Sequence, residues 1–172
     1  MEFPDYRSTA QEAVLSLQHI FQVAKAVRVD PARGIEGAVV YIVNEMDCAN
    51  VAMTWQIAFA DAPPLAVVLV KGLPRRARVE WHVIRCQQTT EDNVPPRKLR
   101  MVFEEHEIAT AITDLRGDHG VLCMSFGSSK AVTSMRSRDP NMAIQIIPSS
   151  AVYSVSKDGI ARHDACTVVL SE

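Results

Sequence analysis

The sequence predicts an α+β fold, in which two helices pack on one face of a mixed β-sheet as a two-layer sandwich with extra C-terminal strands. Two observations predict it. Apolar residues recur every three or four positions between Ser8 and Val27, as in an amphipathic helix. Helix-like and strand-like segments then alternate as far as residue 85, which places helices between strands and favours a sheet covered on one side.

The first predicted helix, from Ser8 to Val27, has the clearest pattern in the chain. Its apolar positions are Val14, Leu17, Ile20, Phe21, Ala24 and Val27. Thr9 and Glu12 have the spacing of a capping box, in which each side chain satisfies a backbone N–H at the start of a helix. The helix is therefore expected to start at this box and to pack on a flat surface.

Three strands and a second helix are predicted in the rest of the first half. GAVVYIV and LAVVLV are continuous apolar runs, typical of buried strands, and the segment around Trp55 between them has a helical pattern. The third strand, ARVEWHVIR, alternates between apolar and polar residues. Trp81 is expected to face the apolar side, while Arg78, Glu80 and His82 face the other side.

The 172-residue chain is long enough for one compact domain with a real core. Residues 1–86 are predicted to form the core, residues 87–98 a linker or long loop, and residues 99–172 a mostly β part that completes or extends the same sheet. The tripeptide from Lys157 to Gly159 predicts a hairpin turn leading into ACTVVL. The sequence leaves open whether these later strands extend the first sheet or form a small subdomain.

Composition and motifs exclude several classes of function. A net charge of -2 gives no global reason to expect a nucleic-acid partner, and the apolar runs are too short to span a bilayer. With no signal sequence visible, a cytoplasmic protein is predicted. No P-loop, dinucleotide-binding glycine motif or nucleophile elbow occurs, and the four cysteines lack zinc-ligand spacing. We therefore expect buried free thiols and no metal or cofactor.

Several charged clusters could be functional sites or could be solvated surface without a site. His106 and His163 each lie beside carboxylates, which would suit a proton relay or a metal, but solvated turn residues are the favoured interpretation. The segment from Gly127 to Lys130 is a weak candidate for an anion site. A basic group around the corner before the third strand would suit RNA binding, although a solvated or subunit-facing surface is favoured. This group comprises Lys71, Arg75, Arg76, Arg78 and Arg85.

Glu80 is the strongest single candidate for chemistry. It lies between Arg78 and His82 on the polar face of a strand, and such neighbours could set its ionisation for general acid–base work. The alternative is a structural role in cross-strand charge pairing.

The chain contains, in order, a predicted helix, the segment VVYIVNEMD, a second predicted helix and the segment PPLAVVLV-GLP-ARVEWHVI. This order, from about Ser8 to Arg85, resembles the RidA/YjgF superfamily, long labelled endoribonuclease L-PSP. The VEW segment and the GLPRRA corner are most similar to the RidA-like domains at the C-terminus of eukaryotic diphthine-ammonia ligases, and IQIIPSSAVYS and ACTVVL extend the resemblance weakly. This resemblance implies a chorismate-mutase-like sheet and a homotrimer with small-molecule clefts between subunits.

The resemblance also assigns roles to particular positions. In active relatives an arginine grips the substrate carboxylate and a glutamate positions water to hydrolyse an imine; these positions fall on Leu65 and Glu80. Since leucine cannot bind a carboxylate, Arg76 or Arg78 would have to substitute. Relatives also begin with a β-hairpin that is missing here, and strands from EIATAIT and GVLCMSFG are hypothesised to fill its place.

Three functions are therefore considered for the chain. The preferred one is a small-molecule-binding or assembly module linked to diphthamide biosynthesis. The alternative is a divergent imine or enamine deaminase, a hydrolase that uses Glu80. An endoribonuclease comes third, because no pair of histidines is placed for RNA cleavage.

Overall fold

A computed structural model of the chain describes residues 8–85, 98–103, 107–109, 122–127 and 145–171. The helices in these ranges are α1 (Thr9–Ala26), α2 (Pro31–Gly34) and α3 (Cys48–Ala58). The strands are β1 (Ile35–Ile42), β2 (Leu65–Leu69), β3 (Val79–Arg85), β4 (Lys98–Phe103), β5 (Glu107–Ala109), β6 (Leu122–Gly127), β7 (Gln145–Pro148), β8 (Ala151–Ser156), β9 (Gly159–His163) and β10 (Ala165–Ser171).

The strands form two mixed sheets of five strands each. The first has the order β3-β1-β2-β8-β9 and the second the order β5-β4-β10-β6-β7. The predicted α+β class is confirmed. The number of layers differs from the prediction, because the helices cover one face of the first sheet and the second sheet packs on its other face. Apolar alternation shows that a strand has a buried face, but not which sheet it joins.

The N-cap of helix α1 lies one residue before the predicted capping box. Ser8 is the N-cap: its Oγ accepts the backbone N–H of Gln11 at 3.2 Å, and Gln11 Oε1 accepts the backbone N–H of Ser8 at 3.1 Å. The prediction of Thr9 and Glu12 as the capping pair is wrong, since both side chains bond elsewhere. Thr9 Oγ1 donates to Asp47 Oδ2 at 3.0 Å, which ties α1 to the start of α3.

The helical layer packs on the first sheet through aromatic side chains. Strands β1 and β2 are parallel, so the chain must cross over between them, and α3 makes that crossover. Trp55 of α3 is fully buried there, stacks on Trp81 at 5.5 Å between ring centroids and packs against Phe59 at 4.4 Å. The prediction that Trp81 faces the apolar side is confirmed.

A second apolar core lies between the two sheets. Val39 and Val68 of the first sheet pack there with Met101, Phe126 and further residues of the second sheet. The sheets approach closely at Gly37, where a Cβ atom would collide with the side chain of Leu99. Glycine at this position therefore permits the sheets to pack together.

The C-terminal strands are divided between the two sheets. The hairpin turn at Lys157–Gly159 leads into β9, an exposed edge strand, and not directly into ACTVVL, which forms β10 in the second sheet. The sequence of β9, GIARH, lacks the apolar run that reveals a buried strand. Strands β5 and β6 also lie in the second sheet, so the hypothesis that they replace a hairpin of the first sheet is wrong.

Three sequence predictions fall largely or wholly on residues outside the described ranges. They concern the linker at 87–98, of which only the last residue, at the start of β4, is described, the histidine at position 106 and the anion site from Gly127 to Lys130, of which Gly127 alone is described. Of the four cysteines, Cys48 and Cys166 are described as buried free thiols, as predicted.

The second sheet also bears on the expected trimer. A sheet with helices on one face and an open second face would give the expected homotrimer a surface to bury. Here β4, β6 and β10 of the same chain cover that second face. No helix within the described ranges is long and apolar enough to cross a membrane.

Candidate functional site

An open cleft of about 620 Å³ runs along strand β3 at the edge of the first sheet. On the side that faces the second sheet, its polar lining consists of Tyr41, Glu80 and His82. Val70 and Ile147 supply apolar surface. A concave surface with a few convergent polar groups is the usual form of a small-molecule site.

The register between β1 and β3 brings Tyr41 and Glu80 together. Tyr41 lies directly opposite Glu80, and Val39 lies opposite His82, so that the three polar side chains share one face of the sheet. The ring of Tyr41 packs edge-on against Phe126 at 5.9 Å between centroids, which orients the phenol from the second sheet. Glu80 and His82 reach the same face because they are two residues apart on one strand.

The electrostatics of the pair favour a neutral phenol beside a carboxylate. Burial, and then the charge of Glu80, raise the pKa of Tyr41. Its hydroxyl therefore keeps its proton at neutral pH and can donate a hydrogen bond to a ligand. Glu80 itself is exposed and makes no hydrogen bond or ion pair with any described residue, which leaves its carboxylate open to a ligand.

The remaining predicted site residues lie elsewhere. Leu65 is fully buried among the side chains that face the helices, on the opposite face of the sheet from Glu80. Arg78 is half-buried, and its backbone N–H donates to Glu12 Oε1 at 2.9 Å. Arg76 is exposed at the corner before β3. The fold thus brings Glu80 and His82 to one cleft, without Leu65.

Tyr41 is the site residue that sequence reasoning missed. It lies within the apolar run of β1, where an aromatic residue is expected for packing alone. The alternation of β1 places it on the same face as Val39, but its position opposite Glu80 depends on the strand register. A hydroxyl-bearing residue within the apolar run GAVVYIV was the available signal.

His163, which the sequence suggests as a candidate for a proton relay or a metal site, makes structural contacts between strands. Its Nε2 lies 2.8 Å from Ser154 Oγ, and its ring packs on Phe103 at 4.7 Å between centroids. These contacts join β8 to β9 and to the second sheet. Among the described residues no group of three or more His, Cys, Asp or Glu side chains could hold a metal ion.

A second cavity, of about 810 Å³, opens at the far end of α3. Its lining includes Phe59, Asp61, Pro63 and Lys157. Trp55 forms its floor but is fully buried, and its Nε1 is already bonded to the carbonyl of Pro63 at 2.7 Å. This cavity is larger than the cleft at β3, and its lining also carries charged side chains, those of Glu36, Asp61 and Lys157.

Buried titratable groups of the fold predict a loss of stability in alkaline solution. Tyr153 donates a short hydrogen bond to Glu45; burial and this bond raise the pKa of Tyr153 to about 12. Burial, with the charge of Glu45, raises the pKa of Cys48 to about 11, and burial alone raises that of Cys166 further. Each group is thus held neutral in the folded state.

Above about pH 9 the unfolded chain releases these protons first, so that unfolding becomes easier as the pH rises. We expect the free energy of unfolding, measured by urea titration at about pH 8 and about pH 10, to be lower at the higher pH. Tyr153→Phe should lessen the decrease because it removes one of these groups. A free energy that stays constant or rises over this range would contradict the prediction.

Comparison with known proteins gives a partial similarity. Over 76 residues the chain is 36% identical to a diphthine-ammonia ligase from Schizosaccharomyces pombe. Part of the chain is therefore similar to a ligase of this kind. The match covers 42% of the chain and only 12% of the length of that ligase. No family model matches the chain, and no solved structure matches it.

Proposed function

We propose that this chain is a RidA-like small-molecule-binding module whose ligand lies in the cleft along β3. The observation that carries the proposal is the unpaired carboxylate of Glu80, which faces the cleft beside the protonated phenol of Tyr41. A carboxylate and a hydroxyl donor on neighbouring strands can bind polar groups of a ligand, while Val70 and Ile147 contact its apolar part.

The partial similarity to a diphthine-ammonia ligase supports a link to diphthamide biosynthesis. In this proposal the module binds a small molecule and assists or regulates a ligase of that kind. The helix-covered first sheet agrees with a chorismate-mutase-like arrangement, to which the second sheet is an addition. Because that second sheet covers the face expected to form a trimer, the proposal places the ligand site within one chain.

A divergent imine or enamine deaminase is the second candidate, and the pairing of Glu80 with Tyr41 is what favours it. Glu80 would take a proton from water as the water oxygen attacks the C=N carbon and would pass it to the nitrogen, giving a carbinolamine. Transfer of the carbinolamine hydroxyl proton to the nitrogen would then accompany formation of the C=O bond and cleavage of the C–N bond, which releases ammonia. Tyr41 would donate a hydrogen bond to the substrate. The endoribonuclease is not proposed, because His82 is the sole histidine lining the described cleft.

Two substitutions test the binding site. Ligands found by a melting-temperature screen of the whole chain should lose about threefold in affinity with Glu80→Gln, since an interaction with an exposed charged group contributes up to about 1 kcal/mol. Asp61→Asn, which removes an exposed carboxylate at the second cavity, is the matched control and should leave the affinity unchanged. Equal affinity in the wild type and the Glu80 variant would refute the proposed site.

A rate measurement separates the two candidates. We expect freshly generated imino acids to be hydrolysed no faster with the chain than without it, because the described residues that line the cleft include no arginine to hold the carboxylate of an imino acid next to Glu80. An acceleration that disappears in Glu80→Gln would establish the deaminase in place of the non-catalytic module.

A further inference from the structure

The corner that joins β2 to β3 forms one wall of the cleft and is strongly basic. Gly72 and Leu73 line the cleft, and the exposed cations Lys71, Arg75 and Arg76 lie immediately beside them in the chain. None of the three cations has a hydrogen bond or an ion pair with a described residue. Three unpaired cations within six residues create a positive potential beside the cleft.

The backbone of this corner is held in an unusual conformation. Arg75 has a φ of 54° and Arg76 a φ of 58°, both in the left-handed region. A left-handed conformation costs a side-chain-bearing residue about 1–2 kcal/mol, so two in succession are unfavourable unless they serve another purpose. Arg75 and Arg76 are consecutive and exposed, and arginine side chains are well suited to bind a carboxylate.

Glu80 supplies the opposite charge within the same cleft. Its carboxylate is exposed and unpaired, and the sole other ionisable side chains in the described lining are those of Tyr41 and His82. The cleft therefore has an acidic side chain on β3, and the cations of the corner lie just beyond its lining residues Gly72 and Leu73. Arg76 lies four positions before Glu80 in the chain, which corresponds to at most about 13 Å of extended backbone.

We propose that the ligand of this cleft is a small zwitterion, whose ammonium group lies against Glu80 and whose carboxylate is bound by the corner of Lys71, Arg75 and Arg76. This inference rests on the proposed function and specifies its ligand class. Because the corner cations are not among the lining residues beside Glu80, we expect several bonds to separate the charges of the ligand. An apolar chain between those charges would lie against Val70 and Leu73.

Four small probes of similar size test the inference on the whole chain. ε-Aminocaproate carries both charges at its ends, hexylamine carries the ammonium alone, caproate carries the carboxylate alone, and norleucine is the isomer with its charges on neighbouring carbon positions. Titrations followed by amide chemical shifts should show ε-aminocaproate binding at least about threefold more tightly than each of the others, within the range expected for solvent-exposed ion pairs. The shifts should centre on the cleft.

Variants then assign each end of the ligand. Glu80→Gln should reduce the affinity for ε-aminocaproate to that for caproate. The double variant Arg75→Asn and Arg76→Asn should reduce the affinity for ε-aminocaproate to the affinity for hexylamine. Asparagine tolerates the left-handed region, so the corner keeps its shape. Arg75→Lys with Arg76→Lys is the charge-preserving control and should retain at least half of the gain. Arg162→Gln, on the distant strand β9, should change nothing.

Other results would overturn the inference. If hexylamine binds as tightly as ε-aminocaproate, the corner plays no part in binding. If norleucine binds as tightly as ε-aminocaproate, the separation of the charges plays no part. Shifts centred on Asp61 would place the probes in the second cavity. If the probes fail while another small molecule perturbs Tyr41 and Glu80, the zwitterion is wrong and the proposed function stands. If no small molecule perturbs the cleft, both are wrong.

Discussion

Trp55→Ala should lower the free energy of unfolding by about 3–5 kcal/mol, the range measured when large buried side chains are truncated. Trp55 is fully buried between α1, α3 and the first sheet, where its ring stacks on Trp81 and packs against Phe59. Its truncation also leaves the carbonyl of Pro63 without its hydrogen bond. Both losses act on the core that holds β3, and hence the cleft, against the helices.

Urea unfolding followed by far-UV circular dichroism measures this loss without relying on the fluorescence of the deleted indole. Trp55→Phe is the matched control, because it keeps an aromatic ring in the core and removes the Nε1–H donor. We expect it to cost clearly less than the alanine variant. A loss below about 1 kcal/mol for Trp55→Ala would show that the helical layer does not pack on the sheet as described.

Phe126→Ala is the second large effect, expected at about 3–5 kcal/mol, and it should also weaken ligand binding. Phe126 of β6 is fully buried between the two sheets, and its ring supports Tyr41 at the edge of the cleft. A cavity at this position would let the Tyr41 ring move away from its place beside Glu80. Stability and affinity should therefore fall together.

Phe103→Ala separates these two consequences. Phe103 is equally buried in the core between the sheets, but its ring contacts His163 on the far edge strand and does not line the cleft. We expect a similar loss of stability with unchanged ligand affinity, measured at a temperature where both variants are folded. If both variants weaken binding to the same extent, Tyr41 is not positioned by Phe126.

The elements of the first half could be predicted because each has its own local signal. The stripe of α1 and the alternation of β3 depend on nearby residues alone, and they place Glu80 and His82 on one face. The cap of α1 was misassigned by one residue, since Ser8–Gln11 and Thr9–Glu12 have the same spacing. The choice between them depends on Asp47, a distant residue that binds the Thr9 hydroxyl.

The site could be predicted in part for the same reason. The pairing of Tyr41 with Glu80 and the position of Leu65 on the opposite face both follow from strand registers, which local sequence does not contain. The second sheet was missed because its strands have the same apolar pattern as strands that extend the first sheet. Only tertiary packing distinguishes the two arrangements.

The most direct test of the ligand site is amide chemical-shift mapping of the whole chain with a fragment library. We expect the fragments that bind most tightly to perturb Tyr41, Glu80 and His82, and we expect Glu80→Gln, but not Asp61→Asn, to weaken these interactions. Perturbations centred instead on Phe59 and Asp61, or the same affinities in the Glu80 variant, would contradict the proposed ligand site.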